Sequence, residues 1–319
     1  MEQSARSILN LYTPSGIGDL HWTFLKIENI SRLLNKDIII HYEKNRYHDS
    51  LEVQRLISMI PSIKYSEENA NGVKNSDRFF NVYPDLSQAF SSKPADSFDS
   101  YSFWIGRDFV NNKSLNEIIP EAEVNYDYDI CFSPEAIRYA KRLISSVGTP
   151  FIITNASWRS IDPEQVSNCW SINHYQETAK LFYDAYNIPT ALVGSINEIN
   201  IARKICTGNP YFINLVSGIP IDYLLALIMY ADLVWGFQGG INMIADRFLT
   251  PTIMLWSTAE HTKAKHNPPK NLITSWMRPE SLEGASYIPL ILGKDATPEN
   301  IFNQSKRLID GVGQKRLHQ

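Results

Sequence analysis

The segment "ADLVWGFQGGINMIADRFLTPTIMLWS", residues 231–257, carries the pattern that decides the fold. Its apolar run at 232–237 is typical of a parallel strand that is buried on both faces. Gly239 and Gly240 then lead into a helix predicted at 240–249, and a second apolar strand is predicted at 252–257. A strand, a glycine turn, a helix and a strand in this order indicate a βαβ unit.

The same alternation extends through most of the chain. It predicts strands at 37–42, 151–154 and 190–195, and helices at 50–60, 135–147, 174–186, 197–206, 222–231 and 298–312. The pattern blurs at residues 64–120, and we interpret their aromatic residues as a secondary core under long loops rather than a binding platform. We therefore predict an α/β protein of two units with parallel sheets.

The predicted domain limits follow from this pattern. The first domain covers 1–148, the second covers 149–297, and Gly148-Thr149-Pro150 forms the hinge between them. A C-terminal helix and tail cover 298–319, and packing back on the first domain is one option for them. The length of 319 residues, with 44% hydrophobic and 20% charged residues, fits two globular domains.

Charge and cysteine content narrow the class of protein. The formal charge of −4 gives no global basic field, so a partner held mainly through phosphate contacts is not favoured. Cys131, Cys169 and Cys206 are odd in number and far apart, which fits reduced thiols. No signal peptide and no apolar stretch of membrane-spanning length is apparent, so we predict a cytoplasmic protein without a membrane span.

Glycine-bearing polar segments follow several predicted strands, at the edge where parallel α/β sheets bind ligands. The pair Gly239-Gly240 allows two interpretations, a turn that needs positive φ or a close backbone approach to an anion at a helix N-terminus. Asp19, in "YTPSGIGDLHW" at residues 12–22, also allows two interpretations, a helix cap or a general base. The sequence pattern leaves both pairs open.

Four stretches together resemble the heptosyltransferases of glycosyltransferase family 9. They are "PSGIGDLHWTFLKI" at 14–27, "WSINHYQETAKLF" at 170–182, "TALVGSINEINIARKI" at 190–205 and the segment at 231–257. They occur in the family's order and cover roughly a third of the chain. The resemblance implies a GT-B fold, in which a first Rossmann-like domain holds the acceptor and a second, facing one holds a nucleotide sugar.

The resemblance also implies an inverting glycosyltransferase that needs no metal and no cofactor beyond its nucleotide-sugar co-substrate. Asp19 aligns with the family's proposed general base, in a turn with Gly16 and Gly18, and His21 is a second-rank acceptor candidate. The donor contacts that we predict, with the base and ribose near Glu198, are Asn155, Ser157, Arg159, Gly194, Ser195, Glu198, Gln238, Gly239, Gly240, Ser257 and Thr258.

The chain departs from the family pattern at the donor site. Cys169 stands where relatives carry Lys or Arg, so Arg159 is our substitute cation. Gln238 stands where relatives have Asp, and Met243 replaces a histidine. The loss of an acid and an imidazole favours a nucleotide sugar other than ADP-heptose.

The acceptor and the alternative functions stay open. A sugar, a lipid-linked glycan, a protein side chain and a hydroxymethylated DNA base of the phage type are all possible acceptors. A DNA acceptor needs a basic rim, and the candidates for it are Lys44, Arg46, Arg107, Lys113, Lys315 and Arg316. The alternative is a non-catalytic nucleotide-binding or interaction module. A Rossmann oxidoreductase is disfavoured because a G-x-G-x-x-G motif is missing. The motif Asp127-Tyr128-Asp129 is interpreted as a solvated loop rather than a metal site.

Overall fold

The computed structural model describes residues 7–13, 15–43, 49–69, 79–80, 102–104, 125–155, 170–256, 277–283 and 286–316. The chain divides into two compact units, Met1–Phe132 and Ser133–Gln319. Each is built on one parallel sheet with helical crossovers, as the alternation of strands and helices predicts.

The first unit contains a five-stranded parallel sheet in the order β3-β2-β1-β5-β4. Its elements are β1 (Ser7–Thr13), α1 (Ile17–Leu34), β2 (Lys36–Glu43), α2 (Ser50–Ser58), β3 (Ile63–Asn69), β4 (Phe79–Phe80) and β5 (Ser102–Trp104). The apolar residues of α1 recur every three or four positions, and Leu20, Phe24 and Ile27 are fully buried. They form this unit's core together with Ile38 and Ile40 of β2.

The second unit contains a six-stranded parallel sheet in the order β11-β10-β9-β6-β7-β8. Its strands are β6 (Ile152–Asn155), β7 (Thr190–Val193), β8 (Phe212–Asn214), β9 (Leu233–Phe237), β10 (Thr252–Trp256) and β11 (Tyr287–Ile291). Its helices are α3 (Pro134–Val147), α4 (Ile172–Tyr186), α5 (Ile199–Cys206), α6 (Ile221–Tyr230), α7 (Gly240–Arg247), α8 (Pro279–Glu283) and α9 (Pro298–Arg316). The short strands β8 and β11 were not predicted.

The core of the second unit lies on both faces of this sheet. Every residue of β6, β7, β9 and β10 is buried, which is why these strands are nearly continuous apolar runs in the sequence. On one face Trp170 packs against Tyr175 and Trp235, and its indole N–H donates to the carbonyl of Ala296 at 3.1 Å. The tryptophan-led segment at 170–182 is therefore anchored in the core.

The division between the units falls before α3 instead of after Gly148. Helix α3 packs on α6, so it belongs with the second sheet. Gly148 ends α3 with φ +113°, and its N–H donates to the carbonyl of Ile144 at 2.8 Å. Gly148-Thr149-Pro150, the predicted hinge, thus lies inside the second unit. Helix α9 packs on α4 of the same unit, where Phe302 meets the ring of Phe182.

Membrane insertion of a helix finds no support in the described part of the chain. No helix there has both the length and the apolar character that a membrane crossing requires.

A buried carboxylate anchors the chain where it returns to the second sheet after β10. Asp246, near the end of α7, accepts a hydrogen bond of 2.8 Å from the backbone N–H of Arg278. The buried Arg278 guanidinium donates to Glu280 at 3.2 Å and to the carbonyl of Arg247 at 3.4 Å. Burial raises the pKa of Asp246 from 3.8 to about 6, since desolvation outweighs its hydrogen bonds and the Arg278 charge.

This carboxylate should make the stability of the fold depend on pH. The folded chain keeps a proton on Asp246 up to about pH 6, whereas the unfolded chain releases it near pH 4, so stability should fall as the pH rises through that window. A shift of about two units corresponds to about 3 kcal/mol. Asp246→Asn cannot ionise and still accepts from Arg278. The free energy of unfolding of this variant, measured in urea across the window, should therefore gain about 2–3 kcal/mol relative to the wild type.

An exposed aspartate provides the control for this prediction. Asp184→Asn removes a carboxylate that pairs with Lys180 on the surface of α4, where an ion pair contributes little. Its unfolding should follow the wild-type pH dependence. Equal pH dependence of Asp246→Asn and the wild type would contradict the assignment.

Candidate functional site

Each sheet has a point where the order of its strands reverses, and two of the predicted glycine turns, at 15–19 and 237–240, lie at these points. In the first unit the chain passes from β1 to β2 on one side, while β5 pairs with β1 on the other. In the second unit β6 and β9 are neighbours, and the chain winds outward from them in opposite directions. Crossover helices leave a crevice beyond the carboxyl ends of strands at such reversals, and ligands bind there.

The first turn connects β1 to α1. Gly16 is the N-cap of α1, with φ −69°, and no described side chain caps the helix there. Its backbone is therefore not in the left-handed region, and no side chain of the described residues takes up the first N–H groups of α1. Ser15 is buried, and its hydroxyl has no hydrogen-bond partner among the described residues. Gly18 and Asp19 lie in the first turn of α1, but the side chain of Asp19 is outside the described part.

His21 is buried in the first unit. Its Nδ1 lies 2.9 Å from the hydroxyl of Tyr128, whose ring packs edge-on against Phe24. This contact attaches the segment around Tyr128 to α1, and no local signal in the sequence could predict a pairing across 107 positions. The neighbours of Tyr128, Asp127 and Asp129, are exposed, as the solvated-loop interpretation predicts.

The second turn connects β9 to α7. Gly239 is the N-cap of α7, and no side chain within the described ranges caps this helix. The φ of Gly239 is 173°, an extended value open to any residue, so the interpretation that this turn needs positive φ is wrong at Gly239. A Cβ built there would meet only the carbonyl oxygen of Phe237, at 3.8 Å, among the described residues. Neither its backbone nor its packing against the described residues therefore requires Gly239 to be glycine.

Asn155 closes β6 directly beside this turn. Its side-chain Nδ2 donates to the carbonyl of Phe237 at 3.3 Å, and the Tyr175 hydroxyl donates to its backbone carbonyl at 3.2 Å. Gln238, which follows Phe237, donates its backbone N–H to Leu255 at 3.0 Å. The turn is thus held from both neighbouring strands, β6 and β10.

Gly194, Ser195 and Glu198 form a closed turn after β7. Glu198 Oε2 accepts the backbone N–H of Ser195 at 2.8 Å, and Ser195 Oγ accepts that of Asn197 at 3.2 Å. A Cβ on Gly194 would lie 3.2 Å from the Cβ of Glu198, so this glycine makes room for the capping side chain. The sequence pattern missed Ser217, whose N–H donates to the carbonyl of Gly194 at 3.0 Å and joins the β8 loop to this turn.

Buried amides surround the start of α7. Asn242 is fully buried, and neither polar atom of its side chain has a hydrogen-bond partner within the described part of the chain. Gln238 Oε1 is also buried without such a partner there. Met243, which stands where the family carries a histidine, is packed in the core.

The structure does not describe several of the predicted site residues, and for others it does not describe the side chain. The residues that are not described are Ser157, Arg159, Cys169, Ser257, Thr258, Lys44, Arg46, Arg107 and Lys113, and the side chains of Lys315 and Arg316 join them. Their proposed roles stay predictions. Among the residues that are described, no group of three or more His, Cys, Asp or Glu is placed to hold a metal ion.

The two described cysteines are free thiols. Cys131 is exposed, whereas burial raises the pKa of Cys206 to about 11. A thiol with so high a pKa is a poor nucleophile at neutral pH, which gives Cys206 a packing role.

The comparison with known proteins identifies the fold. No protein-family profile matches the chain, and the search of curated proteins found no sequence match. Escherichia coli ADP-heptose LPS heptosyltransferase II superposes with a TM-score of 0.60 at 16% identity, over 96% of this chain and 99% of that one. A family 9 glycosyltransferase from Veillonella parvula DSM 2008 gives 0.59 at 11% identity, over 94% and 97%.

A third solved structure, the E. coli heptosyltransferase WaaC with ADP, gives a TM-score of 0.53 at 11% identity, over 94% of this chain and 100% of that one. The likeness extends over nearly the whole length of all three proteins. The chain therefore has the GT-B fold, with two Rossmann-like units, and this prediction from the sequence is confirmed.

The two glycines at the end of β9 should respond to substitution to different extents. Gly239→Ala should change the stability by less than about 1 kcal/mol, because the smaller entropy of the unfolded chain favours alanine whereas the N-cap position favours glycine. Gly236 has φ +150° and faces the Asn155 side chain, so Gly236→Ala should destabilise the fold by at least about 2 kcal/mol. Urea unfolding of both variants tests this. A large loss in Gly239→Ala would mean that the turn itself needs glycine.

Proposed function

We propose that the protein is an inverting glycosyltransferase that moves a sugar from a nucleotide-sugar donor to an acceptor hydroxyl without a metal ion. One observation carries the proposal: an extended glycine, Gly239, which no described contact requires, stands where the strand order of the second sheet reverses, at the N-terminus of α7, which no described side chain caps. Backbone N–H groups in that position, together with the helix dipole, favour a diphosphate that approaches closely.

The donor is proposed to lie on the second unit. Its diphosphate faces Gly239 and Gly240, and its base and ribose lie near Gly194 and Glu198, at the end of β7. Glu198 keeps Oε2 on the Ser195 turn, which orients its carboxylate. The E. coli heptosyltransferase of the same fold was solved with ADP, which supports a nucleoside diphosphate as the ligand class.

The acceptor is proposed to lie on the first unit, beside Gly16, Gly18 and Asp19. The acceptor oxygen attacks the anomeric carbon of the donor sugar, and Asp19 takes the proton of that hydroxyl. The bond from the anomeric carbon to the diphosphate breaks, and its electron pair leaves with the diphosphate. Because attack and departure occur on opposite faces of the sugar, the anomeric configuration inverts. The growing negative charge on the diphosphate is stabilised by the α7 N-terminus.

A glycan or a small molecule is the proposed acceptor class. A hydroxymethylated DNA base is the other candidate, but the net charge of −4 does not favour it. An assay that measures transfer of a labelled sugar to glycan substrates and to hydroxymethylated DNA distinguishes the two acceptor classes.

A ligand screen in the presence of a chelator tests the proposed function. Nucleoside diphosphates and nucleotide sugars with each of the common bases are added to the protein in EDTA, and the melting temperature is recorded. One of them should stabilise the native state, by about 2.7 kcal/mol at a concentration of about 100 times its Kd. Gly239→Ala should weaken that ligand by about tenfold or more while retaining its own stability. Stabilisation that requires added Mg²⁺ or Mn²⁺ would refute the metal-independent mechanism, and no stabilisation by any of them would refute donor binding.

Asp19→Asn should abolish most turnover but leave donor binding and folding unchanged. Asparagine keeps the size and most of the capping capacity of aspartate, whereas loss of a positioned base typically lowers the rate by about 10²–10⁴-fold. The measurement is the rate of sugar transfer, with nucleotide affinity and melting temperature determined on the same preparation. Transfer at a near wild-type rate would remove Asp19 from the mechanism.

Asp49→Asn is the matched control for this substitution. Asp49 is the N-cap of α2 in the same unit, where its carboxylate accepts the N–H of Leu51 at 2.8 Å. The two variants make the same chemical change at the start of a helix, so only a catalytic role separates their rates. If the wild type binds a nucleotide sugar yet transfers it to no acceptor, the alternative of a non-catalytic nucleotide-binding module holds.

A further inference from the structure

Asn155 and Gly236 occupy one shared space where β6 meets β9. The backbone pairing of these strands runs from Ile152↔Leu233 to Thr154↔Trp235, so Asn155 and Gly236 are the next residues along. A Cβ on Gly236 would lie 1.6 Å from Oδ1 of Asn155 and 2.8 Å from its Cγ. The amide of Asn155 therefore fills the position that any side chain at residue 236 would take.

The same amide continues the connection between the strands beyond the last backbone pair. Nδ2 of Asn155 donates to the carbonyl of Phe237 at 3.3 Å, in the place of a further ladder hydrogen bond. Phe237 is followed directly by the turn of residues 238–240, where α7 begins. The carbonyl that enters the turn is thus fixed by a side chain from β6.

A contribution to stability does not explain why residue 155 is asparagine. Asn155 is only 8% exposed, and its Oδ1 has no hydrogen-bond partner among the described residues. A buried acceptor without a partner costs free energy, and an apolar residue at the same place would avoid that cost. Gly236 adds a second cost, because its φ of +150° and its missing side chain weaken a central strand.

We propose that Asn155 is a positioning residue for the donor site, and that Gly236 is glycine to admit it. Asn155 acts through the carbonyl of Phe237, and so holds the backbone N–H groups of the turn at 238–240 in the orientation that receives the diphosphate. The catalytic consequence rests on the proposed function, whereas the positioning of the turn does not.

The variants isolate the hydrogen bond from the space that the side chain fills. Asn155→Asp keeps the shape, and at a pH where its carboxylate is ionised it cannot donate to Phe237, whereas Asn155→Ala removes the side chain. Thr154→Val is the control, because Thr154 is adjacent, fully buried and without a hydroxyl partner among the described residues, while its side chain points to the opposite face of the sheet. Gly236→Ala is made alone and in the Asn155→Ala background.

Hydrogen exchange of the unliganded protein tests the positioning. The amides of Gln238 and Met243, which donate to the carbonyls of Leu255 and Gly239, should exchange about tenfold faster or more in Asn155→Ala and Asn155→Asp, while those of α4 and β7 keep their wild-type rates. Thr154→Val should exchange like the wild type at the turn. Equal exchange in the Asn155 and Thr154 variants overturns the proposal, and this outcome does not depend on whether any nucleotide binds.

Ligand affinity tests the consequence for the donor site. The Kd of the nucleoside diphosphate that stabilises the wild type should rise about tenfold in Asn155→Ala and in Asn155→Asp. Gly236→Ala should be much less harmful in the Asn155→Ala background than in the wild type, because the collision is then gone. Strictly additive losses would overturn the shared-space argument. If Gly236→Ala folds only in the Asn155→Ala background, the proposal is supported. If Gly236→Ala folds in neither background, the comparison of exchange and Kd between the two Asn155 variants and Thr154→Val decides the proposal.

Discussion

The parallel pairing of β6 with β9 is the constraint on which the second unit depends. Parallel strands need long crossover connections, and these run right-handed, so strands that wind outward from a central pair place their helices on opposite faces of the sheet. The carboxyl ends of the central pair are then left without a covering connection. Both strands are buried along their whole length, which fixes their register and places Asn155 beside Gly236. The first unit repeats the arrangement at β1 and β5.

The helices that begin at these two strand reversals, α1 and α7, differ from several other helices in the capping of their first N–H groups. Helices α2, α3 and α4 begin with Asp49, Ser133 and Ser171, whose side chains accept backbone N–H groups. Helices α1 and α7 begin with glycine and receive no cap from any described side chain. Helix α6, after Pro220, is also without such a cap in the described structure, but it follows the edge strand β8. The feature that distinguishes α1 and α7 is an N-terminus that no described side chain caps, at a point where the strand order reverses.

Several polar groups buried around the second sheet lower the stability of the fold. Asp246 is held by Arg278 but carries the desolvation cost that raises its pKa. Asn155 and Asn242 have buried polar atoms without partners in the described part of the chain; Asn155 contacts the residue that enters the β9–α7 turn, and Asn242 follows that turn in the chain. Natural proteins retain such costs mainly at sites of function, where a ligand or a fixed geometry compensates for them.

The sequence by itself determined the α/β class, the parallel sheets and most elements of the second unit, because strands buried on both faces must be apolar along their length. It also located the glycine turns, since composition marks the places where a strand passes into a helix. Only the tertiary structure decided the boundary between the units, which depends on α3 packing against α6. It likewise decided that Gly236 rather than Gly239 has positive φ, and that His21 meets Tyr128. These features arise from contacts between residues far apart in the chain, which leave no periodic signal in the sequence.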